Sequence, residues 1–256
     1  MIALNAVLGI AVPVVLAWWL VKKHKVNIRT ILIGAAVFIL FALVLETIFH
    51  QIVLKGPHGA TITENIWYYA LYGGLAAGIF EETGRFLAMK FLLKKEPMEA
   101  KTAVAYGAGH GGVEMLIIFG LTMVSNLAIA AMINGGQADM LMGTAPAEAR
   151  AQVEAQFAAL ETASAGSYLL GLWERFSALI LQIGLSIIVW TAVRKGGKWL
   201  WLFPAAILLH FLVDGVTVVL SQSVSTLTLE IIVFCFAVAV GAIGFLLARK
   251  LNAEEG

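Results

Sequence analysis

The chain has 256 residues, 61% of them hydrophobic and 13% charged, with a mean hydropathy of +0.91 and a formal net charge of +1. A soluble domain carries about twice that charged fraction, so an ordinary water-soluble globule is excluded and the composition reads as an all-α polytopic membrane protein, one domain over 1–256. Near-neutral charge offers no basic surface for nucleic acid, and a single cysteine, Cys235, excludes intrachain disulfides and thiolate metal clusters.

A helix needs about 17–25 apolar residues to cross a bilayer. Seven runs meet that length, at about 2–21, 31–54, 66–93, 101–133, 167–193, 199–220 and 228–248. The first has no basic segment before it and no small-residue cleavage site after it, which predicts a retained helix and not a signal peptide. Lys22, Lys23, Lys25 and Arg29 follow the first run, Lys94, Lys95 and Lys101 the third, Arg194, Lys195 and Lys198 the fifth, and Arg249 and Lys250 the seventh. With alternating spans these all lie on one side, and only Lys55 and Arg150 on the other. Basic residues favour the cytoplasm, so the N-terminus is expected outside and the C-terminus inside. The long connection, 134–166, then lies outside. Its Ala-, Glu- and Gln-rich stretch predicts a surface helix with Thr144 as N-cap and Pro146 in the first turn, acting as a connector or as a lid.

Ionisable groups inside the runs are few, and each costs a few kcal/mol in hydrocarbon. In "FEETGRF" Glu81 stands twelve residues from the cytoplasmic end of the third span, roughly 18 Å deep. His110 in "GAGHGGVEM" is roughly 14 Å into the fourth and His210 in "LLHFLVDGV" roughly 16 Å into the sixth. Three helices therefore bring Glu, His and His to one level near the midplane. Glu114 and Asp214 follow their histidines by four residues, on the same helical face. Glu81 and Arg85 share that spacing and could pair, leaving Glu82 turned to another neighbour, with Glu82 and Arg85 read as supporting Glu81. Four glycines around His110 predict a crowded helix junction or an opening. Nearer the outer face lie Glu46 and His50 on the second span and Glu174 and Arg175 on the fifth. Cross-helix pairs, Glu46 with Arg175 or Glu174 with His50, would neutralise this set; otherwise it lines an aqueous route.

No hydroxyl or thiol nucleophile stands beside the midplane set, which argues against covalent catalysis. Two imidazoles with carboxylates suit zinc, held by His110, His210, Glu81 and Glu114, if a position stays open for water. The same groups also suit metal-free hydrolysis, with Glu81 as general base and the histidines steadying water and oxyanion. A proton- or cation-coupled transporter would use the same residue types, and a scaffold gripping substrate helices would use the glycine surface.

The order "EETGRF", "GAGHGGVE" and "HFLVD" on three separate spans, with "WERFSALILQIGLSIIVWTAVRK" in the fifth, resembles the YhfC family of bacterial intramembrane metalloproteases. More distantly it is similar to the type II CAAX prenyl proteases and the PrsW proteases. These share a double glutamate, a histidine on the next helix, and a histidine with Asn or Asp four residues on. The resemblance implies that Glu81 activates water, that His110 and His210 bind it, its oxyanion or a metal, and that Asp214 orients His210. Arg85 stands one place earlier than the CAAX arginine and Asp214 replaces the usual Asn, so PrsW is the closer analogy; Glu114 has no CAAX counterpart. The expectation is a multi-pass peptidase of the bacterial plasma membrane, surrounded by lipid and acting on a transmembrane or lipid-anchored protein. The wider group includes a non-catalytic scaffold subunit of gamma-secretase, which keeps the scaffold reading beside it.

Overall fold

A computed structural model describes residues 1–144, 146–147 and 150–253. The described residues form helices joined by short turns, with no strand among them. The order is α1 (Ile2–His24), α2 (Ile28–Leu54), the short α3 (Gly59–Thr63), α4 (Ile66–Leu87), α5 (Ala100–Asn134), α6 (Ala138–Thr144), α7 (Arg150–Thr162), α8 (Ala165–Lys195), α9 (Leu202–Leu220) and α10 (Thr226–Ala253). Starts are written locally. The Asn27 side chain accepts from the Arg29 amide, Asn65 from those of Trp67 and Tyr68, and Ser164 from that of Ser167, each satisfying amides that a first turn leaves unpaired.

Helices α1, α2, α5, α8, the segment Gly197–Leu220 and α10 are long and apolar enough to cross a membrane. The protein is a polytopic helical bundle. Helix α4 has the length but carries Glu81, Glu82 and Arg85, all buried, so its charges are turned into protein and away from lipid.

Three helices change to wide π-type turns, at Ile39–Glu46 in α2, at Ala88–Leu92 after α4 and at Met115–Leu121 in α5. Such turns shift the register of a helical face. Here the first ends on Glu46 and the last begins just after Glu114.

The expected single surface helix in 134–166 is two helices. The first ends at Thr144 and the second begins at Arg150. Gly143 and Pro146, both poor in helix interiors, flank the break. Residues 145, 148 and 149, where the second helix would be capped, lie outside the described residues. Gln156 Nε2 donates to Asn126 Oδ1 at 3.1 Å and fastens α7 to α5.

Helix α8 is the central post, with Leu185, Ile188, Val189 and Trp190 in the main apolar core. Small residues bring its neighbours close. A Cβ on Gly184 would stand 3.0 Å from the Gly241 amide nitrogen of α10. The glycines around His110 have the same use: Gly109 packs on the Ile31 carbonyl of α2, Gly107 on Ile183 and Ser186 of α8, and Gly111 on Gln182. Of the two expectations for that segment, the crowded junction is the one formed.

Candidate functional site

Helices α4, α5, α8 and α9 each send polar side chains into the junction that these glycines make possible. Glu82, Arg85 and His110 are fully buried, Glu81 and His210 nearly so. His110 Nε2 lies 2.9 Å from Glu81 Oε2 and, facing a carboxylate, is the donor. Gln182 Nε2 donates to the same oxygen at 3.0 Å and to Glu114 Oε2 at 3.0 Å. Both bonds to Glu81 end on Oε2, so neither engages Oε1. The Phe38 ring meets His110 edge-on, with centroids 5.1 Å apart, and fixes the imidazole plane.

The Glu81–Arg85 pair that the spacing allows is not formed. Arg85 Nε lies 3.0 Å from Glu82 Oε2, three residues away, a close charge contact whose angle falls short of a good hydrogen bond. The rest of the guanidinium faces α8, donating to the Gln182 carbonyl at 2.9 Å and also to Gln182 Oε1 and Ser186 Oγ. Glu81 and Glu82 project about 100° apart on one helix, so they take different partners: Glu81 turns to His110 and Gln182, and Glu82 to Arg85 and His210. Glu82 Oε1 in turn holds His210 Nδ1 at 2.8 Å. Asp214, expected to orient His210, is 3.6 Å from its Nε2, so Glu82 is the nearer partner.

A cavity of about 160 Å³ opens on this cluster, lined by Glu81, Glu114, Gln182, His210 and Asp214 and further out by Glu174, Arg175 and Glu230. It has room for several waters and the polar groups to hold them. His110 does not line it but stands behind Glu81. Neither expected cross-helix pair of the outer set is present. Glu46 instead meets His50 on its own helix at 3.2 Å, and His50 Nδ1 lies 2.6 Å from the Tyr72 hydroxyl. Glu174 pairs with adjacent Arg175, whose guanidinium also reaches Glu114 at 3.4 Å. Arg175 thus joins the Glu174 half of the outer set to the midplane set, while Glu46 and His50 pair with each other.

Sequence reasoning missed two residues. Gln182 bridges the site from α8, and the depth argument used for the histidines would have found it, about eleven residues from the end of the fifth span. Glu230, near the N-terminal end of α10, also lines the cavity.

The comparisons agree with this architecture. The model of the YhfC intramembrane metalloprotease family matches residues 8–237, nearly the whole chain and all four helices of the cluster. The chain belongs to that family. It is also 36% identical over 212 residues to the "Uncharacterized membrane protein YhfC" of Bacillus subtilis (strain 168), covering 82% of this chain and 80% of that one. No solved structure matches. As a YhfC-family member with these apolar helices, the chain is a multi-pass membrane protein, and a bacterial plasma-membrane location fits it.

The family's description implies a metal, and the donor geometry can be tested against one. Among the described residues no three His, Cys, Asp or Glu side chains converge as ligands. The His110 nitrogen that faces the cluster donates to Glu81 and offers no lone pair there. His210 alone has the form of a ligand histidine, its far nitrogen held by a carboxylate. As packed, the set expected for zinc, His110, His210, Glu81 and Glu114, does not fit a tetrahedral ion.

Proposed function

We propose that the protein is an intramembrane peptidase in which Glu81 activates water against a peptide bond of a transmembrane or lipid-anchored substrate. The observation that supports this most is the state of the Glu81 carboxylate. One oxygen is fixed by His110 and Gln182, the other is engaged by neither, and the residue lines a polar cavity within a membrane helix bundle. A carboxylate so held is a positioned general base.

In this reading Oε1 of Glu81 takes a proton from water as the water oxygen attacks the carbonyl carbon. His210 Nε2 stands in the same cavity; with a proton on each nitrogen the ring would donate to Glu82 and to the forming oxyanion. When the C–N bond breaks, the amine takes the proton back from Glu81. His110 orients the base, and Glu82 and Arg85 hold His210 and Gln182. Glu174, Arg175 and Glu230 mark the route by which water reaches the cavity, on the outer side if the basic loops are cytoplasmic.

The test is cleavage of a quenched fluorogenic peptide of about 20 apolar residues, reconstituted in liposomes with the purified protein. Glu81→Gln should lower the rate by about 10²–10⁴-fold, and His110→Ala and His210→Ala should each lower it strongly, all three keeping the helical fold. Undiminished hydrolysis by Glu81→Gln would sink the mechanism.

A further inference from the structure

We infer that Gln182 is the positioning residue of this site: its amide couples Glu81 and Glu114 into one carboxylate pair facing the cavity. This rests on the peptidase reading for its consequence, but the coupling itself is a geometric claim.

An Asn or Gln side chain is ambiguous unless its neighbours decide between oxygen and nitrogen. Here they do. The oxygen side faces the Arg85 guanidinium, a pure donor, and the nitrogen side faces two carboxylates, pure acceptors. The reverse orientation would set NH₂ against guanidinium and C=O against both carboxylates.

The amide is also clamped from behind. Arg85 holds its oxygen, and also the Gln182 backbone carbonyl at 2.9 Å. Arg85 is itself held by Glu82 and Ser186. Gly111 of α5 packs on the Gln182 side chain, so a residue with a Cβ there would push it out of place. The side chain is 97% buried by this packing, with 3% of its surface left.

The consequence is a fixed spacing. Each carboxylate oxygen is 3.0 Å from one nitrogen, so the two lie no more than about 6 Å apart. Both acids line the same cavity. Two bare carboxylates that close repel, and a neutral donor between them relieves this without adding charge. Lysine or arginine at 182 would pair with one acid and shift the other; glutamate would add a third like charge. Glutamine alone among the isosteric choices offers two N–H groups to the acids and an acceptor to Arg85. Glu81 then keeps Oε2 on Gln182 and His110 and presents Oε1 to substrate.

The experiment uses the full-length protein in liposomes and compares wild type with Gln182→Met, which keeps the volume and removes the donors, and Gln182→Glu. Two readouts are taken. In cleavage of the apolar fluorogenic peptide, Gln182→Met should lower kcat by about 10- to 100-fold, the loss of charge-assisted hydrogen bonds, with KM unchanged; Gln182→Glu should lose more. In labelling by a hydrophobic carbodiimide, mapped by mass spectrometry, Gln182→Met should raise modification of Glu81 and Glu114 several-fold and leave Glu174 and Glu230 unchanged. A wild-type kcat in Gln182→Met, or labelling that rises equally at all four acids, overturns the proposal, since a merely structural role would loosen the whole cavity. If the wild type cleaves no peptide, the peptidase reading falls, and the labelling pattern still decides whether Gln182 couples the pair.

Discussion

Replacing Arg85 with Met should destabilise the bundle by about 3–5 kcal/mol, the range for removing one partner of a buried ion pair. The structure sets this at the upper part of what one side chain can do. Arg85 and Glu82 each have no exposed side-chain surface. Without Arg85, the Glu82 carboxylate keeps only His210, and the Gln182 carbonyl and Oε1 both lose their donor. At about 1.4 kcal/mol per tenfold, the folded-to-unfolded ratio falls by about two to three and a half powers of ten. The assay is reversible unfolding in mixed detergent micelles, followed by helical circular dichroism. The control is the double variant Arg85→Met, Glu82→Met, which removes both members of the buried pair; replacing both members of such a pair by apolar groups is near neutral. The double variant should therefore recover much of the loss. If Arg85→Met stays within about 1 kcal/mol of wild type, or the double variant is no better than the single, the pair does not carry the weight assigned to it.

The glycine junction and the metal question give further outcomes. Gly109→Ala places a methyl against the Ile31 carbonyl and should cost about 1–3 kcal/mol as overpacking, whereas Gly73→Ala, with nothing within 4 Å, should be neutral or stabilise by up to about 1 kcal/mol; equal melting shifts would refute the close-approach role. Metal content measured by plasma mass spectrometry should be the same, and well below one zinc per chain, in wild type and in the His110→Ala, His210→Ala double variant. About one zinc per chain in the wild type, lost in the double variant, would show that the site repacks around an ion and would replace the metal-free scheme.

Length and hydropathy alone determined that the chain is a helical membrane protein, because an apolar run long enough to cross a bilayer must satisfy its backbone internally as a helix. The depth of each ionisable residue was equally legible, since rise per residue is fixed. That is why Glu81 and His110 could be placed at one level from sequence and meet at 2.9 Å. Spacing along one helix gave the face of Asp214 relative to His210, and the two lie 3.6 Å apart.

What spacing could not decide is how each helix is rotated against its neighbours. Arg85 is within reach of both Glu81 and Glu82 by sequence; the approach of α8 and α9 selects Glu82. Arg175 was expected to meet Glu46, and the packing of α8 on α5 instead gives it Glu114 beside adjacent Glu174, joining that part of the outer set to the midplane set. Gln182 carries no charge, so an inventory of ionisable groups passed over it, although it touches more of the site than any of them. A helix fixes distances along its own axis, and these the sequence states directly; which side chains face one another across axes follows from the close approach of Gly109, Gly111 and Gly184 to their neighbours, and only the tertiary structure contains that.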